Sequence, residues 1–333
     1  MDIDPSSSFV RELREAAVTY FEETYKNIQV PNGEDKKGEV SIIDAMHRNI
    51  KDLGEKWNQV FDDHNKGLKV QVIPVFIHTR PVVDFGRDKG TEFGDLLYVY
   101  SELNSQQNKK EKKALLLQAK VNSNDNIDED QLYLYQNWPK FSFRDKKIGE
   151  EILPLISSRS INEFQVSCPN TGANYLFIEN RESESPSPFE KRYETANPLN
   201  LYKSRSLFVD NLLELMDFKS ETGREIIDLK VCDWSRSIEA VLKWAEQKQY
   251  TYRRSGWERV GDAILSYCLR NNNKHLNSNA YIPQLLDLYK KISLNFSHNI
   301  NPPEKSIQDG PTKKFIIVHI IVYPANYRVD SIS

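Results

Sequence analysis

The chain has little cysteine. Cys168, Cys232 and Cys268 are the three among 333 residues, odd in number, far apart and without a CxxC pair. That excludes a disulfide framework and a thiolate zinc site. Its six histidines are equally scattered, with no HxH and no HExxH, so a helical zinc signature is missing too. There is no excess of one charge: 45 Lys and Arg face 48 Asp and Glu, a net of −3. No overall basic field draws the chain onto nucleic acid, and any such contact must be local. No GxxxxGK[ST] occurs, so a dependence on ATP would have to come from a partner. The longest apolar run, Phe315 to Tyr323, is interrupted by His319 and is too short to span a bilayer. The opening Met1-Asp2-Ile3-Asp4-Pro5 lacks the basic start and apolar stretch of a signal peptide. The expectation is a cytoplasmic protein with no membrane partner.

What is present fits a folded protein: 39% hydrophobic and 28% charged residues. The length allows one large domain or two ordinary ones. Ser6 to Ser8 supply N-cap candidates for a helix over 9–28, and a second apolar stripe from Ile42 to Phe61 predicts one helix over 41–61. Val and Ile then dominate 68–83, a strand pattern interrupted by Pro74. Further strands are expected over 96–100 and 114–121, the latter a continuous apolar run suited to burial on both faces. Helical spacing resumes over 127–138, and 174–179 reads as a short strand. The stretch 181–200, with Pro186, Pro188 and Pro198, is the best linker. Helices are predicted over 207–218, 235–248, 257–270 and 282–292, and a last strand over 313–323. The reading is an α/β protein: a core over 1–180 with N-terminal helices, a linker or loop over 181–200, and a mainly helical region over 201–333. The final strand of that region can join the core sheet.

Chemistry concentrates between Glu92 and Lys120. Gln118 and Lys120 stand two apart on a strand, so their side chains share one face. An amide and an ammonium in an otherwise apolar central strand are costly without partners. Asp95, directly after Gly94, opens the preceding strand. If the two strands pair antiparallel, Asp95 falls beside Gln118 and Lys120. A carboxylate, an amide oxygen and waters suit a hard divalent ion such as Mg²⁺, with Mn²⁺ an equivalent. A lysine beside that ion can position or activate an attacking water and stabilise charge on a phosphate. The chemistry indicated is phosphodiester hydrolysis. Taken singly, Asp95 also suits a turn cap after Gly94, and Lys120 a strand-end lysine whose head reaches water.

These residues resemble the PD-(D/E)xK nuclease superfamily, in which an Asp at the start of one core strand is followed by (D/E)xK on the next. Gly94-Asp95-Leu96-Leu97 matches the first element and Gln118-Ala119-Lys120 the second. Gln118 stands in place of the usual acid, a QxK form similar to that of Mrr-type restriction nucleases. Gln131-Leu132-Tyr133-Leu134-Tyr135 resembles the QxxxY element of RecB-like members, and Gln131 and Tyr135 share a helical face. The resemblance covers about 68–143. It implies a restriction-endonuclease-like core, a mixed central sheet flanked by helices, with Asp95 and Gln118 as metal ligands and Lys120 as the catalytic lysine. Glu92, or a glutamate from a preceding helix with Glu55 as candidate and Asp44 behind it, would offset the lost acid. The implied activity is Mg²⁺-dependent DNA cleavage, of the kind found in restriction and antiviral defence effectors, with DNA, a sensor or ATPase subunit and a second copy of the chain as partners.

Lys109, Lys110, Lys112 and Lys113 are expected on a loop between two strands, as a solvated tip or as phosphate contacts. Arg253 and Arg254 form a second basic patch for nucleic acid. Two other functions stay open. Arg270 followed by His275 resembles the motif of HEPN ribonucleases, which cut RNA without metal, although asparagines and basic residues also suit a plain helix end. The Gln at 118 also suits a degenerate nuclease fold that only binds DNA or protein.

Overall fold

The computed structural model describes residues 1, 4–28, 38–77, 80–103, 110–121, 127–148, 172–179, 192–201, 205–227, 232–247 and 315–325. Helix α1, Ser8–Lys26, starts where Ser7 accepts the Val10 N–H at 3.2 Å, a side-chain N-cap. The single helix expected over 41–61 is two, α2 (Glu39–Arg48) and α3 (Lys51–Asp63). Asn49, at φ −118°, leaves the helical range and ends α2. Ile50 takes a helical φ again and leads into α3. The break is a tight turn, so the apolar stripe runs through it unbroken. Ile42, Met46, Ile50, Leu53 and Trp57 are all fully buried. Periodicity alone therefore could not locate it.

Strand β1, Leu68–Ile77, contains Pro74. It lies at the sheet edge, where a missing N–H is tolerated. β2 (Val82–Asp84), β3 (Thr91–Glu92) and a later strand β6 (Ser142–Phe143) form a small three-stranded sheet. The long pair β4 (Leu96–Leu103) and β5 (Lys110–Val121) is antiparallel. Helix α4, Glu129–Asn137, is capped by the Asp128 carboxylate and closed by Trp138 at φ 39°.

Then come β7 (Ala173–Ile178), β8 (Tyr193–Ala196), β9 (Arg205–Leu207), α5 (Phe208–Leu215), β10 (Arg224–Glu225), α6 (Asp233–Gln247) and β11 (Phe315–Pro324). The main sheet runs β1-β11-β4-β5-β7-β8-β9, with β10 on β5. β5 and β7 are parallel, β4 and β11 are parallel, and the other pairs are antiparallel. This is an α/β protein with a mixed central sheet flanked by helices.

Two results bear on the domain organisation. Tyr193–Ala196, within the expected linker, is a sheet strand. The closing strand enters the middle of the sheet, between β1 and β4, because eight of its ten residues are buried and need cover on both faces. The chain therefore closes its own core with a segment from near its end. One face of the sheet packs against α1, α2, α3 and α5, and the other against α4 and α6. Even positions of β5 (Ala114, Leu116) meet the α4–α6 side and odd ones (Leu115, Leu117, Ala119) the α1–α3 side, as strand alternation requires. No helix among the described residues is long and apolar enough to cross a membrane.

Candidate functional site

The β4–β5 register pairs Leu96 with Leu117, so Asp95 stands opposite Gln118. The Asp95 backbone is held on both sides, its N–H donating to Leu117 O at 2.9 Å and its carbonyl accepting from Ile316 N at 2.9 Å. The centrally inserted β11 thus helps to fix the acid. Asp95 lies on the same strand face as Leu97 and Val99, and Gln118 and Lys120 on that of Ala114 and Leu116. These are one side of the sheet, the side of α4. Asp95 and Gln118 are each 2% exposed, whereas Lys120 is half-buried at the rim.

The turn before Asp95 leaves no room. A Cβ on Gly94 would lie 2.8 Å from Leu116 and 3.0 Å from the Tyr135 hydroxyl, so any larger residue would have to push these side chains aside. That helix sends in two side chains. Gln131 Nε2 donates to Gln118 Oε1 and to Glu92 O at 3.2 Å, while the Tyr135 hydroxyl donates to Phe93 O at 2.9 Å. Gln131 and Tyr135 tie the catalytic-strand candidate to the Glu92–Asp95 segment.

Charges converge on Asp95. Its Oδ2 accepts the Ala119 N–H at 2.9 Å, and its Oδ1 is buried with no hydrogen-bond partner, 3.4 Å from Arg80 Nη1. Arg80 is also paired with Glu92. Burial pushes the Asp95 carboxyl up to about 7, against the pull of Arg80, with Glu39 and Glu92 adding repulsion. Glu39 is raised above its ordinary value, first by burial, while Lys120 and Arg80 oppose the rise and the Val121 N–H donates to it. Glu39 is the first residue of α2.

Sequence reasoning missed Arg80 and Glu39. An arginine between an apolar strand and Pro81, and an acid after Gly38 in a helical first turn, were the signals available. Both read as ordinary surface residues until the topology brings them to the strand ends. Glu55, the expected helical acid, is exposed on α3, so the glutamate that the helical layer delivers to the cluster is Glu39. Asp44 is instead paired with Arg48 one turn away.

The lysine cluster needs a larger correction. Lys110 opens β5, so the strand begins inside the expected loop. Lys112 and Lys113 are 8% and 2% exposed. Lys112 pairs with Glu239 at 3.1 Å. Lys113 donates to the carbonyls of Asp217 at 2.9 Å and Ser220 at 2.5 Å. Their ammonium groups are consumed by α6 and by the segment after α5, and neither meets solvent as a loop tip would. Arg253, Arg254, Arg270 and His275 lie outside the described residues. Trp234 and Trp244 are core.

Among the described residues no group of three or more His, Cys, Asp or Glu is placed to hold a metal. Asp95 Oδ1, buried and lacking a hydrogen bond, nevertheless points at the cluster, and the Gln118 amide oxygen sits on the facing strand. One carboxylate, one amide and waters fit a hard ion that takes few protein ligands. No protein-family model, no curated protein and no solved structure matches the chain.

Proposed function

We propose that the chain is a metal-dependent nuclease of the restriction-endonuclease-like class, cutting DNA with Mg²⁺ or Mn²⁺. The observation that carries this reading is the buried Asp95 carboxylate, opposite Gln118 on the adjacent strand and on the same sheet face as Lys120. The Asp95 oxygen without a hydrogen bond meets Arg80 only as an ion pair at 3.4 Å, and a divalent cation there would compensate it at closer range. Asp95 and Gln118 would hold the ion, which when bound polarises the scissile phosphodiester.

The protein's own groups do the rest. Gln131 fixes the Gln118 oxygen and Tyr135 braces the Phe93 carbonyl, so the ligand-bearing segment is rigid before substrate arrives. Lys120, at the rim, faces the incoming phosphate, stabilises its developing charge and orients the attacking water. Glu39 keeps Lys120 in place through charge. The class is one of cytoplasmic restriction and antiviral effectors, so a sensor or ATPase subunit and self-association belong to the same proposal.

The test is cleavage of plasmid DNA with Mg²⁺ or Mn²⁺ by wild type, Asp95→Ala and Lys120→Ala, with circular dichroism confirming equal folding. Wild type cuts and both variants lose cleavage. Equal cutting by all three would discard the site. A second reading, a fold that binds DNA without cutting, is favoured by the Gln118 oxygen being engaged by Gln131. It predicts DNA binding by all three proteins and cleavage by none. An RNA substrate cut in the presence of EDTA would point instead to Arg270 and His275.

A further inference from the structure

The Asp95 cluster holds three acids, Glu39, Glu92 and Asp95, and Arg80 is drawn to all of them electrostatically. Its guanidinium touches two: it is paired with Glu92 and stands 3.4 Å from the Asp95 oxygen that has no hydrogen bond. The side chain is 12% exposed, so it is a built part of the cluster, not a solvated arginine. Its chemistry is that of a cation seated between two carboxylates. A divalent ion on Asp95 Oδ1 would be drawn to the same place, and two cations cannot share it in a poorly solvated site.

We propose that Arg80 is a resident counter-ion that competes with the divalent metal, and that its displacement frees Glu92 to become the acidic ligand that Gln118 does not provide. This rests on the nuclease reading of the site. It resolves the departure at position 118. An amide on the central strand leaves the ion one negative charge short, and Glu92 lies on the segment whose carbonyl already accepts from Gln131. Arg80 also keeps the acids compensated when no metal is bound. Metal entry and arginine release are then one event, which lowers the apparent affinity for metal by the cost of breaking the Arg80 contacts.

Isothermal titration of the full-length protein with Mn²⁺ tests this without any cleavage assay. Arg80→Gln is expected to bind Mn²⁺ about five-fold or more tightly than wild type, the range of a single coupling between two ligands. Arg80→Lys, which keeps the charge, binds as wild type does. Adding Glu92→Gln to Arg80→Gln removes the gain. Equal or weaker Mn²⁺ binding by a folded Arg80→Gln protein, when wild type binds, overturns the counter-ion role and leaves the nuclease site standing. Mn²⁺ binding that survives Asp95→Asn unchanged, or no Mn²⁺ binding by wild type and Arg80→Gln alike, overturns the site and this inference together. Circular dichroism and the rise in Tm on adding Mn²⁺ give a second readout, larger in Arg80→Gln than in wild type.

Discussion

The two ends of β5 carry lysines that look alike in sequence and differ in exposure and in the charges around them. At the first end, Lys112 and Glu239 form a buried pair with side chains 9% and 1% exposed, one Glu239 oxygen keeping no hydrogen bond, and Lys113 donates to two carbonyls. Little of either lysine meets solvent. At the other end, Lys120 is half-buried and is drawn to Glu39, which in turn lies in the field of Arg80, Glu92 and Asp95. A closed and neutral buried pair is a structural element, worth little in net stability but costly to break. A cluster with more acids than cations, and a partly exposed lysine beside it, is where the proposed reading has a cation and its substrate bind. The comparison teaches that accessibility and charge balance, and not lysine count, mark which end is a candidate site.

Changes at the two ends should therefore fail in different ways. The largest effect is on catalysis. Lys120→Ala is expected to reduce Mg²⁺-dependent cleavage by about 10²- to 10⁴-fold, the range for a lost catalytic proton or charge partner, with little change in Tm. A large loss of Tm with normal activity in the folded fraction would place Lys120 with Lys112.

Next comes Glu239→Ala, which removes the carboxylate paired with the buried Lys112 ammonium. Urea unfolding should show a loss of about 3–5 kcal/mol, while the rate per folded molecule stays normal. A change under 1 kcal/mol would mean that the pair is not sealed.

His47 extends the contrast to the opposite sheet face. Its ring nitrogens contact Ile43 O at 2.6 Å and the Tyr98 hydroxyl at 2.5 Å. Burial lowers it from 6.5 to about 4. The unfolded chain therefore takes up this proton at a higher pH than the folded one. The stability that His47 contributes is full above pH 6.5 and is lost as the pH falls towards 4, by up to about 3 kcal/mol. His47→Gln should flatten that part of the stability curve, measured by urea unfolding at stepped pH. An unchanged slope would contradict it.

The smallest effect belongs to Glu55. Exposed on α3, its replacement by alanine should change stability by about 0.5 kcal/mol or less and leave cleavage intact, whereas Glu39→Gln lowers cleavage. A cleavage defect in Glu55→Ala alone would reverse the assignment of the helical acid.

Much of the fold was legible. The strand pair around Asp95 and Gln118, the helix bearing Gln131 and Tyr135, and the closing strand all follow from local period and apolar runs. The break at Asn49 was hidden because the apolar stripe continues across a tight turn. The burial of Lys112 and Lys113 was hidden because their partners, Glu239 and the Asp217 and Ser220 carbonyls, lie more than a hundred residues away. The linker assignment failed at Tyr193–Ala196 because proline content marks turns and says nothing of a short strand set among them.

By itself the sequence determined which residues must share a face: Gln118 with Lys120, Gln131 with Tyr135, and the apolar stripes that build the two cores. Those follow from the fixed repeats of strand and helix, which are local. Only the tertiary structure decided that β11 enters beside β4, that Arg80 and Glu39 reach Asp95, and that Lys112 and Lys113 are sealed. Charge partners are chosen by distance in space, and a low-dielectric interior enforces the choice between groups that the chain keeps far apart.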